Sequence, residues 1–194
     1  EDAHIDAEIS PVISRIGGYV DTVRFVDNQR VNKGDTLVIL DGRDLRMKLE
    51  HAEAALGVSN SSVNEGESSI MKAEAAVGAA VSDVAAAKSE IALATNEKER
   101  QSARVRLEVM NAKLRNAQKQ ADAHREKLKS AFSSIQMKKA DIDYAKLQLS
   151  YTVITAPVSG IVSKRMIQPG EFVQAGQSLF SIVNDTSFYV TANF

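Results

Sequence analysis

Two periods of hydrophobicity divide this chain. Over residues 9 to 41, and again over 152 to 183, apolar residues come in short β-branched bursts, such as Val12-Ile13, Phe25-Val26 and Leu37-Val38-Ile39-Leu40 in the first stretch. Turn signals separate the bursts at Gly17-Gly18, Asp27-Asn28 and Asn32-Lys33-Gly34-Asp35, then at Pro157 to Gly160, Pro169-Gly170 and Ala175-Gly176-Gln177. This pattern predicts strands of about four to eight residues joined by tight corners. Between the two stretches there is no proline, and a seven-residue repeat takes over. Leu49, Leu56, Val63, Ile70, Val77, Val84 and Ile91 hold one position of it, and the position three residues later is small throughout, from Ala52 to Ala94.

After a break at Thr95-Asn96, a second register runs through Leu107, Leu114, Ala121, Leu128, Ile135, Ile142 and Leu149. Its companion positions, Ala103, Met110, Ala117, His124, Ala131, Lys138 and Ala145, are again mostly small. A sustained period of about 3.5 residues predicts a left-handed coiled coil rather than a helix lying on a globular core. Large residues facing small ones in nearly every layer argue that the two helices run antiparallel, pairing Val84 with Met110, Val77 with Ala117 and Gly66 with Leu128. Each helix then extends roughly 75 to 80 Å at about 1.5 Å per residue. Asn96 followed by Glu99 is a capping-box pattern, which places the turn near residues 95 to 97. The residues at that tip, Ile91, Thr95, Asn96, Glu97, Lys98, Arg100 and Gln101, are the candidate partner-binding set.

The two β stretches also match each other. Gly18, Val20, Val31, Gly34 and Leu37 recur as Gly160, Val162, Val173, Gly176 and Leu179 without a gap, about 142 residues on. Around them Ile16 corresponds to Val158, Tyr19 to Ile161, Phe25 to Ile167 and Leu40 to Ile182. Each half holds too few strands to bury a core alone, so the expected solution is one quasi-symmetric sandwich made from both. The fold class is therefore α+β, a β-sandwich split by a long antiparallel two-helix hairpin. Gly18, Gly34, Gly160, Gly170 and Gly176 are read as its structural turns.

Composition narrows the function by exclusion. The 24 basic and 25 acidic side chains give no overall field for nucleic acid or an anionic membrane. The imbalance is local: the first helix carries five basic and eight acidic residues, the second thirteen and seven, which favours their pairing modestly. There is no cysteine, and hence no disulfide or thiolate chemistry. His4, His51 and His124 stand far apart, with no metal-ligand spacing around them. No nucleophile and base, phosphate loop or catalytic carboxylate pair can be assigned, so neither an enzyme nor a cofactor is expected. No apolar run is long enough to span a bilayer. A start without methionine and an end inside a strand-like run lead us to expect a piece of a longer protein, with an anchor or signal before it and a further β segment after.

The segment Gly34-Asp35-Thr36-Leu37-Val38-Ile39-Leu40-Asp41 resembles the approach to the modified lysine of biotinyl and lipoyl domains. The nearest lysine, Lys48, falls about four residues late and on the expected helix, so a carrier domain is the weaker alternative. A lipoyl-like domain split by a helical hairpin resembles the periplasmic adaptor, or membrane fusion protein, family of the HlyD and EmrA kind. The segments carrying the resemblance are Val23 to Asp41, Ala156-Pro157-Val158-Ser159-Gly160, Gln168-Pro169-Gly170, Glu1 to Ile5 and Phe188 to Phe194.

That resemblance implies a strand of an adjoining β-barrel at 1–8, the first half of the lipoyl-like domain at 9–42 and the helical hairpin at 43–150. The second half follows at 151–185, and the barrel resumes at 186–194. It also implies a periplasmic protein anchored to the inner membrane through a preceding segment and assembled as a homo-oligomeric ring. Such a ring bridges an inner-membrane transporter to an outer-membrane channel, with no nucleic acid involved. An EmrA-like adaptor implies multidrug efflux with a transporter of the major facilitator type; an adaptor of an ABC-type secretion system is the alternative. The Arg, Leu and Ser tip motif of channel-docking adaptors is not matched, since Arg100 is followed by Arg104 where leucine is expected.

Overall fold

Among the described residues, short β-branched segments bounded by tight turns form eight strands, and the heptad-patterned middle forms two helices. The computed structural model describes residues 3–192, with side chains over 9–184. The strands are β1 (Ala3–Ile13), β2 (Gly18–Val23), β3 (Arg30–Val31), β4 (Thr36–Leu40), β5 (Val153–Thr155), β6 (Gly160–Val162), β7 (Phe172–Val173) and β8 (Ser178–Ala192). The helices α1 (Arg43–Leu93) and α2 (Glu97–Ser150) lie between β4 and β5 in the chain. The ends of the segments read as barrel strands, Glu1-Asp2 and Asn193-Phe194, lie outside the described residues. Contacts divide the chain into two units: one from both chain ends, as far as Ala52 and from Asp141 onward, the other Glu53–Ala140.

The first unit holds two four-stranded sheets, ordered β1-β8-β6-β3 and β5-β4-β2-β7. Neither sheet belongs to one half of the chain. Shifting every strand of the first sheet to its repeat equivalent gives the second sheet in the same order, and the registers follow. Gly18 opposite Val173 has its counterpart in Val31 opposite Gly160, and Val20 opposite Leu40 in Val162 opposite Ile182. Corner hydrogen bonds repeat too: the Gly34 amide donates to the Ala156 carbonyl at 2.9 Å, and the Gly176 amide to the Ser14 carbonyl at 2.7 Å. Strand exchange of this kind buries both halves in one core, which neither could close alone.

The core is symmetric residue by residue. Val12 and Ile154, Val20 and Val162, Phe25 and Ile167, Val31 and Val173, Leu37 and Leu179, Val38 and Phe180, and Leu40 and Ile182 are all buried equivalents. Phe25 and Phe180 pack with ring centroids 4.6 Å apart. Ala156 is matched by a buried serine, Ser14, whose hydroxyl donates to the Ile16 carbonyl at 2.6 Å and so is not left unsatisfied. Tyr19 and Ile161 also correspond but face outward, and Tyr19 meets the Phe172 ring edge-on at 5.1 Å.

Two of the five glycines read as turns are not turns. Gly18 and Gly160 open strands β2 and β6. Gly160 is required by close approach, because a Cβ there would lie 2.2 Å from the Val183 carbonyl oxygen. Gly34, Gly170 and Gly176 do sit at corners, with φ of 95°, 86° and 83°. Asn28, the repeat equivalent of Gly170, takes φ of 63°, a conformation asparagine tolerates better than most residues.

In the second unit, α1 and α2 run antiparallel. Gly66 faces Leu128 so closely that a Cβ would lie 3.0 Å from Leu128 Cδ1. Ion pairs cross from Arg125 to Glu74 at 2.8 Å and from Arg106 to Glu90 at 3.1 Å. Val63, Ala80, Val84 and Ala87 of α1 and Ala103, Ala121 and Ile135 of α2 are buried in this unit. The remaining heptad positions, Leu56, Ile70, Val77, Leu107, Leu114 and Leu128 among them, are half-buried. In the first unit Ile142 is buried, while Leu49 and Leu149 are half-buried.

Candidate functional site

The hairpin turn is the place where both helices end and the chain presents groups that the seam does not use. Helix α1 stops at Leu93 and α2 begins at Glu97, leaving Ala94, Thr95 and Asn96 between them. The Asn96 side-chain oxygen accepts the Glu99 amide at 2.9 Å, which satisfies one of the amides orphaned at a helix start. The Glu99 carboxylate reaches back in turn, but to Thr95 rather than to Asn96. It accepts the Thr95 amide and hydroxyl, each at 2.9 Å. The capping box is thus extended by one residue. The Thr95 amide, followed by its hydroxyl, holds the Glu99 carboxyl below the usual carboxylate range.

These bonds, made by the side chains of Thr95, Asn96 and Glu99, fix the backbone of the turn. Thr95, Asn96, Glu97, Lys98, Arg100 and Gln101 are all exposed, whereas Ile91 is half-buried in the seam. Of the tip set, Ile91 is therefore a packing residue rather than a surface one. Leu93, absent from that set, is 78 % exposed and borders an open cleft of about 450 Å³ with Glu90, Ala94, Glu99, Ser102, Ala103 and Arg106. A signal for it lay in the sequence: Leu93 falls outside both seam positions of the heptad, where a large apolar side chain has no partner on α2. The tip thus combines one exposed leucine, a cross-helix Arg106–Glu90 ion pair and unpaired cations, Lys98 and Arg100.

The first unit has its own junction. Asp41 accepts the Arg43 amide at 3.0 Å and a side-chain bond from Arg43 Nη2 at 2.6 Å, capping the start of α1. The Arg43 guanidinium lowers the Asp41 pKa to about 2. Lys48 lies in the second turn of α1, not at a hairpin tip of the sandwich. Among the described residues no group of His, Cys, Asp or Glu could hold a metal ion. No helix there is long and apolar enough to cross a membrane.

Comparison with known proteins yields one consistent group. Residues 8–185 match the family model described as RND MFP, barrel-sandwich hybrid domain. The chain is 28 % identical over 177 residues to the multidrug resistance protein MdtA of Photorhabdus laumondii, covering 91 % of this chain and 36 % of that protein. It therefore spans little more than a third of that relative's length. Among solved structures, the periplasmic adaptor protein EmrA superposes with a TM-score of 0.70 at 21 % identity, covering 97 % of this chain and 76 % of that one. MacA from Actinobacillus actinomycetemcomitans gives a TM-score of 0.56 at 20 % identity, covering 98 % and 55 %. At these identities the structural likenesses establish the fold. The family matched is one of membrane fusion proteins, not of enzymes, and EmrA is named a periplasmic adaptor.

Proposed function

This chain belongs to the membrane fusion protein family, through its RND-type barrel-sandwich hybrid domain, and on that premise we propose that it is the adaptor part of a tripartite efflux pump. Its role is mechanical. It works in the periplasm as a spacer and sealing element between an inner-membrane exporter and an outer-membrane channel, in a ring of several copies. The observation that carries this reading is the division of labour within the chain: a pseudo-symmetric sandwich interrupted by a two-helix hairpin whose turn is fixed by its own hydrogen bonds. The exporter we assign is a multidrug transporter of the major facilitator type, the partner that an EmrA-like adaptor implies. Likeness to the multidrug resistance protein MdtA supports efflux, and likeness to the adaptor EmrA supports the periplasm.

In this reading Leu93, Thr95, Lys98, Arg100 and Gln101 form the docking surface, and Asn96 and Glu99 hold it in shape. The test is site-specific crosslinking in cells, from cysteines placed singly at Thr95 and Lys98 in a chain that has none of its own. Adducts with an outer-membrane channel, or with the tips of neighbouring copies, are expected. Recovery of cytosolic enzymes alone would defeat the reading. Co-purification of the exporter decides between the major facilitator type and an ABC transporter.

A further inference from the structure

The two helices of the second unit are not equally able to stay helical. Between Gly57 and Ser69, α1 reads Gly-Val-Ser-Asn-Ser-Ser-Val-Asn-Glu-Gly-Glu-Ser-Ser, a stretch with no alanine, leucine, methionine, lysine or arginine. Of the strong helix formers the stretch keeps only the glutamates Glu65 and Glu67, and its glycine, serine, asparagine and valine are weak ones. The hydroxyls in this stretch also compete for the helix's own carbonyls. Ser59 donates to the Ala55 carbonyl at 3.2 Å, Ser61 to Gly57 at 3.2 Å, Ser62 to Val58 at 3.3 Å and Ser69 to Glu65 at 2.8 Å. Back-bonding to the fourth preceding carbonyl weakens and bends a helix.

The seam does little to compensate there. Val63 is the one large side chain of this stretch that is buried; its other seam positions are Ser59 and Gly66, and a Cβ added at Gly57 would touch nothing. Beside Gly66 a cleft of about 210 Å³ opens, lined by Ser62, Glu65, Ser69, His124, Lys127 and Ala131 among others. By contrast, the part of α1 nearer the turn buries Ala80, Val84 and Ala87. The cross-helix ion pairs from Glu74 and Glu90 also lie on that side. Opposite the weak stretch, α2 supplies Leu128, Ala131 and Ile135, with Arg125, Glu126, Lys127 and Lys129 around them, a composition that keeps its own helix.

We propose that Gly57–Ser69 of α1 is a local hinge: this stretch unwinds and re-forms while α2 stays helical opposite it, so that the hairpin bends at one defined level. Many weak formers in series, carbonyls with an alternative donor and a thin seam all lower the free energy of opening there. The inference does not depend on what the tip docks with.

Hydrogen exchange of the intact chain tests it. Amides of residues 58–69 should exchange at least about tenfold faster than those of 80–91 in the same helix, and faster than those of 125–136 facing them. Replacing Gly57, Ser61 and Ser62 together by alanine, all away from the main seam positions, should slow exchange in 58–69 by about three- to tenfold and leave 80–91 unchanged. Uniform exchange along α1 would overturn the proposal, as would equally fast exchange of 125–136, since the hairpin would then be opening as a whole. Bending itself is read from spin-label pairs of equal spacing, Ala54 with Ala75 on α1 and Lys119 with Ala140 on α2, all exposed. A broader distance distribution for the α1 pair is expected. Equal widths would refute a hinge confined to α1.

Discussion

The sandwich and the helix seam bury their side chains to different depths. Val38, Val162, Val173, Leu179, Phe180 and Ile182 are wholly shielded, whereas the deepest large residues of the seam, Val63 and Ile142, each keep 6 % of their surface. Two sheets enclose a side chain from both faces, so a core residue there touches neighbours on all sides. Two helices meet along a single line, and each layer remains open at its flanks. The sandwich is therefore sensitive at individual positions, while the hairpin distributes its stability over many small contributions. That is why Ser59, His124 and Lys138 can sit at seam positions, whereas the first unit buries only the hydroxyls of Ser14 and Thr152 among its described residues and satisfies both internally.

The sharpest way to break this contrast is truncation. Phe180→Ala should cost about 3 to 5 kcal/mol, and Leu107→Ala, half-buried in the seam, about 1 to 2 kcal/mol, read from chemical denaturation of each variant. Equal losses would mean that the seam is packed as tightly as the sandwich. Within the sandwich, the repeat offers an internal control. Gly160→Ala must push Val183 aside and should cost roughly 2 to 3 kcal/mol, while Gly18→Ala, whose Cβ would stand 3.7 Å from Leu40, should cost less than about 1 kcal/mol.

In the hairpin, Gly66→Leu overfills the layer facing Leu128 and should cost about 1 to 3 kcal/mol, whereas Gly78→Ala, open to solvent, should stabilise by up to about 1 kcal/mol. Unchanged melting of Gly66→Leu would disprove the register. The smallest effect concerns pH. Asp41 is held at about 2 by Arg43, below its ordinary value of 3.8, so its contribution is present above about pH 4 and is lost as pH falls toward 2. Because the pair is exposed, the loss should be slight, and the Asp41 carboxyl resonance, followed by NMR, should titrate near pH 2. A midpoint near 4 would show that Arg43 does not hold it.

Much of this architecture could be read from residues alone because its signals are local. The heptads from Leu49 to Ile91 and from Leu107 to Leu149 declare two helices, and the alternation of large and small declares their opposed directions. The turn at Asn96 is legible from a capping residue followed by Glu99, although the acceptance of Thr95 rather than Asn96 by that carboxylate is not. The exposed Leu93 is not legible from the heptad, which marks only the two seam positions and leaves residue 93 off both.

The amino-acid sequence by itself determined the periods, the internal repeat and the pairs of equivalent core residues such as Phe25 with Ile167, since each depends on spacing along the chain. Only the tertiary structure decided how the halves share strands, why Gly160 and not Gly18 must lack a Cβ, and where α1 is thinly supported. Those facts depend on which atoms distant segments bring within a few ångströms of each other. Sequence separation carries no record of that distance until the sheets have closed.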